Sequence, residues 1–195
     1  MTYENQTVAT QATELPVPPG VWQVDAAHSR VAFSVRHMTI ATVYGRFGEV
    51  TGWVTVPADP TVESTVEATI AVASVSSGHP KRDELIRSPE FLDVQAFPHM
   101  TFSGSTISGS TPNRPYAVDG ELTIKGTSRP VRLDIDFGGF VTHRGATRAG
   151  FHATTSINRR DFGLTFGALL DAGGAVVSDR VDITLDIELV LSDAR

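Results

Sequence analysis

The sequence has no cysteine among its 195 residues. Disulfide bonds, a thiol nucleophile, thiolate-bound zinc and iron–sulfur clusters are therefore excluded. Positive charge is also scarce: 16 lysines and arginines stand against 22 aspartates and glutamates, and the formal net charge is −6. Because nucleic acids are bound through basic surfaces, this balance argues against a nucleic-acid partner. It argues equally against electrostatic docking on an anionic membrane.

Long apolar runs are missing as well. No stretch approaches the roughly 18 apolar residues of a membrane-spanning helix, so no integral membrane segment is expected. Residues 1–20 lack the basic start and the apolar core of a secretory signal, which makes a cytoplasmic protein the expectation. They are polar and end in prolines and a glycine. We therefore expect a flexible N-terminal arm over 1–20, followed by one domain over 21–193.

What the sequence does contain is a hydrophobic period of two. Apolar residues alternate with polar ones in 66–72, 131–137 and 181–189, among other segments. Such alternation is typical of strands that have one buried face and one solvated face. We predict about eight long antiparallel strands whose apolar faces share one interior, and no nucleotide-binding parallel sheet, because βαβ units are missing.

The segment 79–92 departs from this alternation. Pro80 suits the first position of a helix, and Asp83 and Glu84 fall in the first turn, where the helix dipole favours carboxylates. One short helix over about 80–87 is predicted, and no other helix of two turns. The fold class is therefore all-β, and about eight such strands form either a sandwich or a single antiparallel β-barrel with this helix packed on the barrel.

Several segments together resemble the YceI-like family over roughly residues 20–193. They are VDAAHS (24–29), FSVRHM (33–38), GRF (45–47), RDELIRSPEFLD (82–93), FP (97–98), TF (101–102), GELTIKG (120–126) and INRRDFGL (157–164). The resemblance implies a lipocalin-like barrel with a long internal tunnel for polyisoprenoids, isoprenoid quinones or other long-chain lipids. It implies no catalytic residues, and no cofactor beyond the bound lipid. Leu85 stands where many members carry a histidine.

The apolar parity of one strand includes a histidine. His37 shares the parity of Val31, Phe33 and Val35 and is expected to point into the barrel. It either bonds a structural partner, which we favour, or offers its N–H to the polar head of a ligand. The predicted tunnel residues are Phe33, His37, Phe47, Phe91, Phe102, Tyr116, Phe137, Phe151, Phe162 and Phe166. A tunnel wall and a packed core have the same composition, so the sequence leaves both open.

Other chemical candidates are weaker. His28 and Ser29 are adjacent, no third triad member is placed, and we interpret them as hydrogen-bonded loop residues. None of the six histidines lies at a metal-binding i, i+2 or i, i+4 spacing from another, so no metal site is expected.

Charged residues cluster around the predicted helix. Arg82, Asp83, Arg87 and Asp93 are interpreted as an arginine–carboxylate network that pins the helix to the barrel, and 159–161 are interpreted in the same way.

The function predicted from the sequence is non-enzymatic binding, storage or transport of a long apolar lipid. The sequence does not decide between a monomer and a homodimer. Two alternatives remain. One is a cyclase or isomerase on a related barrel, with His37 and an arginine as the acid–base pair. The other is a stress-related protein–protein interaction module that uses the barrel as a scaffold.

Overall fold

The computed structural model describes residues 15–108, 116–167 and 176–192. Eleven strands and one α-helix lie within these ranges. The strands are β1 Gly20–Val24, β2 Arg30–His37, β3 Ala41–Phe47, β4 Val50–Val56, β5 Thr65–Ala71, β6 Val75–Ser76, β7 His99–Ser108, β8 Tyr116–Ile124, β9 Thr127–His143, β10 Ala146–Asn158 and β11 Val177–Leu191. The helix α1 spans Pro80–Arg87, and short 3₁₀ turns span Val72–Ser74 and Arg159–Phe162.

Eight of these strands form a closed antiparallel ring in the order β1–β4–β5–β7–β8–β9–β10–β11. Trp22 of β1 closes the ring, because it lies opposite Val54 of β4 on one side and Leu191 of β11 on the other. The predicted single barrel is confirmed. The β2–β3 hairpin extends one side of it, with Phe33 of β2 opposite Ile183 in the first half of β11.

The two faces of the wall follow the predicted alternation. Val181, Ile183 and Leu185 of β11 face the barrel interior, while Asp182 between them is exposed. The apolar residues of β5 and β9 with the predicted parity face the same interior. The period-two pattern therefore fixed both the register and the inward face of these strands.

The helix α1 has the predicted bounds and lies beside β6 at one end of the barrel, called here the helical end. Its attachment differs from the predicted arginine–carboxylate network. Arg82 Nε and the Asp83 carboxylate both bond Ser77, and Arg87 Nε donates to the Ala73 carbonyl at 2.9 Å. Hydrogen bonds to hydroxyl and backbone groups pin the helix. No helix in the described part of the chain has the length and apolar character to cross a bilayer.

The opposite end, called here the base, is filled by side chains. Trp22 is fully buried there, and Leu15 and Val17 pack against it together with Val54 and Leu189. Trp22 Nε1 donates to the Pro18 carbonyl at 3.0 Å. The last residues of the predicted arm thus belong to the core, because their apolar side chains cover the base. Positions 1–14 lie outside the described residues.

Candidate functional site

Between the base and the helical end the barrel surrounds a partly open cavity of about 620 Å³. All eight ring strands contribute to its wall, as do β2, β3 and α1, and almost every lining side chain is aliphatic or aromatic. Pockets for small molecules have volumes of roughly 300–1,000 Å³. The interior therefore contains an apolar cavity of ligand size, and many of the side chains that line it also pack against one another.

Most of the predicted tunnel residues line this cavity. They are Phe33, His37, Phe47, Phe91, Phe102, Phe151 and Phe166. The other three do not. Tyr116 and Phe137 pack into the base, where the Phe137 ring lies 5.3 Å from that of Phe151 between centroids, and Phe162 is buried in the core with 2% exposure. The alternation of apolar and polar residues predicted which face of β9 points inward. It does not predict how far along the barrel axis each side chain lies.

The residues predicted to line the cavity were aromatic except for His37, but aliphatic residues form a large part of the cavity wall. Val131, Leu133 and Ile135 of β9 line the cavity, as does the inward row of β11. The alternation that predicted these strands could have identified them. Leu85 of α1 also lines the cavity and contributes an aliphatic side chain to its wall.

His37 is the last residue of β2 and lies opposite Ala41 and Val177. Its side chain borders the cavity, as its parity predicted. The structural hydrogen-bond partner that the sequence analysis favoured is not found within the described residues. A half-buried imidazole therefore lies among the mostly apolar side chains of the wall at this point.

Two arginines also border the cavity, and both are engaged. Arg82 donates from Nε and Nη2 to the hydroxyl and carbonyl of Ser77. Arg159 is 1% exposed, and its Nη1 donates to the carbonyls of Leu164 and Phe166 at 2.6 Å each. Burial lowers the pKa of Arg159, and Asp179, 3.0 Å from Nη2, balances its charge. These contacts hold the segment after β10 in place.

The segment held by Arg159 covers the helical end. Phe166 from this segment meets Phe91 from the loop after α1, with ring centroids 5.4 Å apart and planes tilted by 44°. Both rings border the cavity. Tilted aromatic pairs of this kind contribute more stability than the burial of their apolar surface alone would give. The helical end is thus narrowed by side chains that belong to loops rather than to the barrel strands.

A charged cluster lies outside the cavity, at the connection between β1 and β2. Arg148 Nη1 donates to Asp25 Oδ2 at 2.6 Å and also contacts the Glu188 carboxylate, while His28 Nδ1 lies 3.0 Å from Asp25 Oδ2. The Arg148 hydrogen bond lowers the pKa of Asp25 to about 2, and Asp25 raises the pKa of His28. Ser29 Oγ bonds the backbone of Glu188. The cluster was not predicted, because its members are far apart in the sequence.

The ligand-capable atoms of Asp25, His28 and Glu188 lie within 4.8 Å of one another. Arg148 stands between the two carboxylates and supplies the counter-charge that a cation would bring. The cluster is therefore electrostatically complete as a protein ion-pair network, which ties β10 and β11 to the β1–β2 junction.

The sequence profile of the YceI-like domain matches residues 22–189. A UPF0312 protein of Shewanella baltica is 32% identical over 165 residues, which cover 84% of this chain and 83% of that protein. The YCEI protein of Campylobacter jejuni shares 26% identity at a TM-score of 0.66, over 81% of this chain and 90% of that one.

A more distant structure shows the same fold. A polyisoprenoid binding domain from Saccharophagus degradans superposes with a TM-score of 0.64 at 15% identity and covers 88% of this chain and 98% of its own. The two proteins therefore share the barrel architecture although few of their residues are identical.

Proposed function

The chain belongs to the YceI-like domain family, and we propose that it binds a long-chain apolar lipid inside the barrel without transforming it. The observation that carries the proposal is the cavity of about 620 Å³ inside the barrel, with its almost wholly apolar wall. A polyisoprenoid or an isoprenoid quinone is the proposed ligand class, since a polyisoprenoid binding domain shares the fold. The protein would store or carry such a molecule away from water.

Transfer energetics favour a long chain over a short one. Burial of each methylene group contributes about 0.8 kcal/mol, so about ten methylenes contribute roughly 8 kcal/mol before any cost of binding. A net binding free energy of that size corresponds to a dissociation constant near 1 μM. Because lost translational and rotational freedom subtracts several kcal/mol, a tightly held ligand must bury more than ten carbons.

The polar part of the ligand is proposed to lie near His37. This imidazole borders the cavity beside apolar neighbours such as Phe33 and Val35. A hydroxyl or carbonyl on the ligand could bond it, while the apolar chain extends toward Leu15 and Val54 at the base. The predicted tunnel residues that border the cavity are proposed as ligand contacts. Tyr116, Phe137 and Phe162 are proposed only as supports behind the wall.

Solvent extraction and a cavity-filling variant test the proposal. Mass spectrometry of an organic extract of the purified full-length protein is expected to show one lipid in near-stoichiometric amount. Ala68→Phe adds bulk to the cavity wall, whereas Thr69→Phe adds the same bulk at the next, outward-facing position of β5. We expect Ala68→Phe alone to weaken binding of retinol, a fluorescent isoprenoid alcohol. An empty extract together with equal retinol binding by both variants would refute lipid binding.

The cyclase or isomerase alternative lacks support from the arginines. Arg82 and Arg159 are the cations at the cavity wall, and their donors bond Ser77 and backbone carbonyls. An acid–base pair with His37 would need one of them to leave these contacts. Recovery of an extracted lipid unchanged after incubation with the protein supports binding, whereas conversion to a product would support catalysis.

A further inference from the structure

The wall of the barrel is split on one side. The ladder between β9 and β10 ends where Thr154 lies opposite Asp134. Yet β9 already begins at Thr127 and remains paired with β8, with Pro130 opposite Glu121. Likewise β10 runs on to Asn158, which still pairs with Arg180 of β11. Over 127–133 and 155–158, both described in full, the two strands have no ladder between them.

The outside of this split is a groove of about 560 Å³. Its rim is polar, and Phe162 lies at its floor. The charged rim residues are Arg129, Arg132, Arg180, Asp134, Asp161 and Asp182. Three cations thus stand against three carboxylates, so the rim has no net attraction for an anion. A polar head without net charge suits it best.

The groove and the internal cavity share part of their wall. Val131 of β9, Thr155 and Ile157 of β10 and Ile183 of β11 border both spaces. Among the described residues, the other ring strands pair with their neighbours, except beside the β2–β3 hairpin, where the outer edge of β3 is paired only at Arg46 and Phe47. At the split, a single layer of side chains separates the cavity from the solvent.

Opening the barrel here is physically cheap by comparison with its ends. The base is filled by the buried Trp22 and its neighbours, and Phe91, Phe166 and the segment held by the Arg159 hydrogen bonds narrow the helical end. Parting two paired strands would leave backbone N–H and C=O groups without partners. Between 127–133 and 155–158 there is no ladder to break, so side-chain rotation widens the gap.

From these observations we propose that the gap between β9 and β10 is the lateral route by which the ligand enters and leaves the cavity. The proposal rests on the lipid binding proposed above and specifies the path that limits the rates of ligand uptake and release. It also specifies the ligand class further: an apolar chain with an uncharged polar head, which passes between balanced charges on the rim and meets the His37 imidazole inside.

The absence of native cysteine permits a direct test with single-cysteine variants. Ser156→Cys places a thiol in the gap. Thr142→Cys places one on the paired part of the same two strands, where Thr142 lies opposite Thr147, and Met38→Cys places one on the hairpin tip at the helical end. Each variant is coupled to a maleimide-linked polyethylene glycol. Uptake and release of retinol are then followed by stopped-flow fluorescence.

We expect the adduct at Ser156→Cys to slow uptake and release equally, by roughly tenfold, and to leave the dissociation constant unchanged. Adducts at Thr142→Cys and Met38→Cys should leave both rates unchanged. Normal binding with unaltered rates in the Ser156→Cys adduct would overturn the route alone, as would slowing that occurs only at Met38→Cys. If retinol binds none of the uncoupled variants, the lipid-binding function and the route fail together.

Discussion

The imidazole of His37 lies in a wall of apolar side chains, where a polar group is costly unless it forms a hydrogen bond. Strand parity predicted this placement, because Phe33, Val35 and His37 share one face of β2. Parity could not predict whether the imidazole has a partner, since that depends on side chains from distant strands. The described residues offer none, so a ligand head is the proposed partner.

Substitution of His37 should therefore separate head recognition from chain burial. His37→Ala is expected to weaken retinol binding about fivefold to tenfold, because a hydrogen bond contributes roughly 1 kcal/mol. Binding of the hydrocarbon analogue that lacks the hydroxyl should not change. Fluorescence titration gives both constants, and Phe33→Ala serves as the control that weakens both ligands alike. Equal binding by His37→Ala with reduced stability would instead make His37 a structural residue.

The Asp25–Arg148 pair should contribute pH-dependent stability. The pKa of Asp25 falls from an ordinary 3.8 to about 2 because Arg148 bonds the carboxylate. A carboxyl with a lowered folded-state pKa stabilises the fold above its unfolded pKa, and this contribution disappears as the pH falls through the folded value. Arg148→Met should thus cost on the order of 1 kcal/mol at neutral pH, after allowance for solvent screening.

Urea unfolding of both proteins over a pH series measures this effect. The difference between wild type and Arg148→Met should shrink as the pH falls from 3.8 toward about 2. Arg30→Met is the control, because Arg30 forms a solvent-exposed pair with Asp186 that should contribute little at any pH. A stability difference that stays constant across the series would contradict the assignment.

At the scale of elements, the β2–β3 turn carries backbone strain. Met38 and Thr39, in the three-residue connection 38–40, have φ angles of 51° and 61°, the left-handed region that asparagine and glycine tolerate best. Arg36 holds this turn by donating to the Thr39 carbonyl and to Thr42 Oγ1. The Met38 N–H also donates to the Val176 carbonyl. Tertiary contacts thus impose a conformation that the local sequence disfavours.

Relief of this strain should stabilise the protein. The double substitution Met38→Asn with Thr39→Gly is expected to raise the free energy of unfolding by about 1–2 kcal/mol, the usual cost of a left-handed conformation in such residues. Thr39→Val retains a β-branched side chain and should bring no gain. Chemical denaturation measures both. An unchanged stability in the double variant would show that the Arg36 contacts already offset the strain.

The segment after β10 depends on a single buried cation. Arg159→Met should cost roughly 2–4 kcal/mol, because several backbone carbonyls lose a charged donor in a buried setting. Arg160→Met is the matched control: Arg160 also contacts Asp179, at 2.7 Å, but it is exposed. Urea unfolding and hydrogen exchange over 159–167 should separate the two variants. Equal losses would indicate that the Asp179 ion pair, rather than the carbonyl contacts, holds the segment.

For the whole molecule, the sequence predicted what depends on short-range patterns. Period-two alternation predicted the strands, the family resemblance favoured a barrel over a sandwich, and Pro80 with Asp83 predicted the bounds of α1. It did not predict that Tyr116 and Phe137 lie in the base, because axial height depends on strand tilt and on the bulge after Gly150. Nor did composition indicate that the end of the polar arm packs against Trp22.

Truncation should therefore distinguish two parts of the predicted arm. Removal of residues 1–14 is expected to leave stability and retinol binding unchanged. Removal of residues 1–19 also deletes Leu15 and Val17, whose burial contributes about 1.5–3 kcal/mol each, and it uncovers Trp22. Thermal unfolding measures the loss, and a full-length Leu15→Ala, Val17→Ala variant should reproduce it. A shorter chain as stable as the full one would show that the base closes without them.

Ring closure by β1 and β11 has a consequence for how the protein folds. Trp22 and Leu191 are paired neighbours although 169 positions (191 − 22) separate them along the chain. Contacts of such long range form slowly, because the entropy of a large loop is lost before the contact is made. Until β11 joins, the apolar interior remains an open sheet face, which exposes a surface prone to aggregation. Loading of the proposed lipid would then be a late event, since the cavity does not exist before β11 completes the ring.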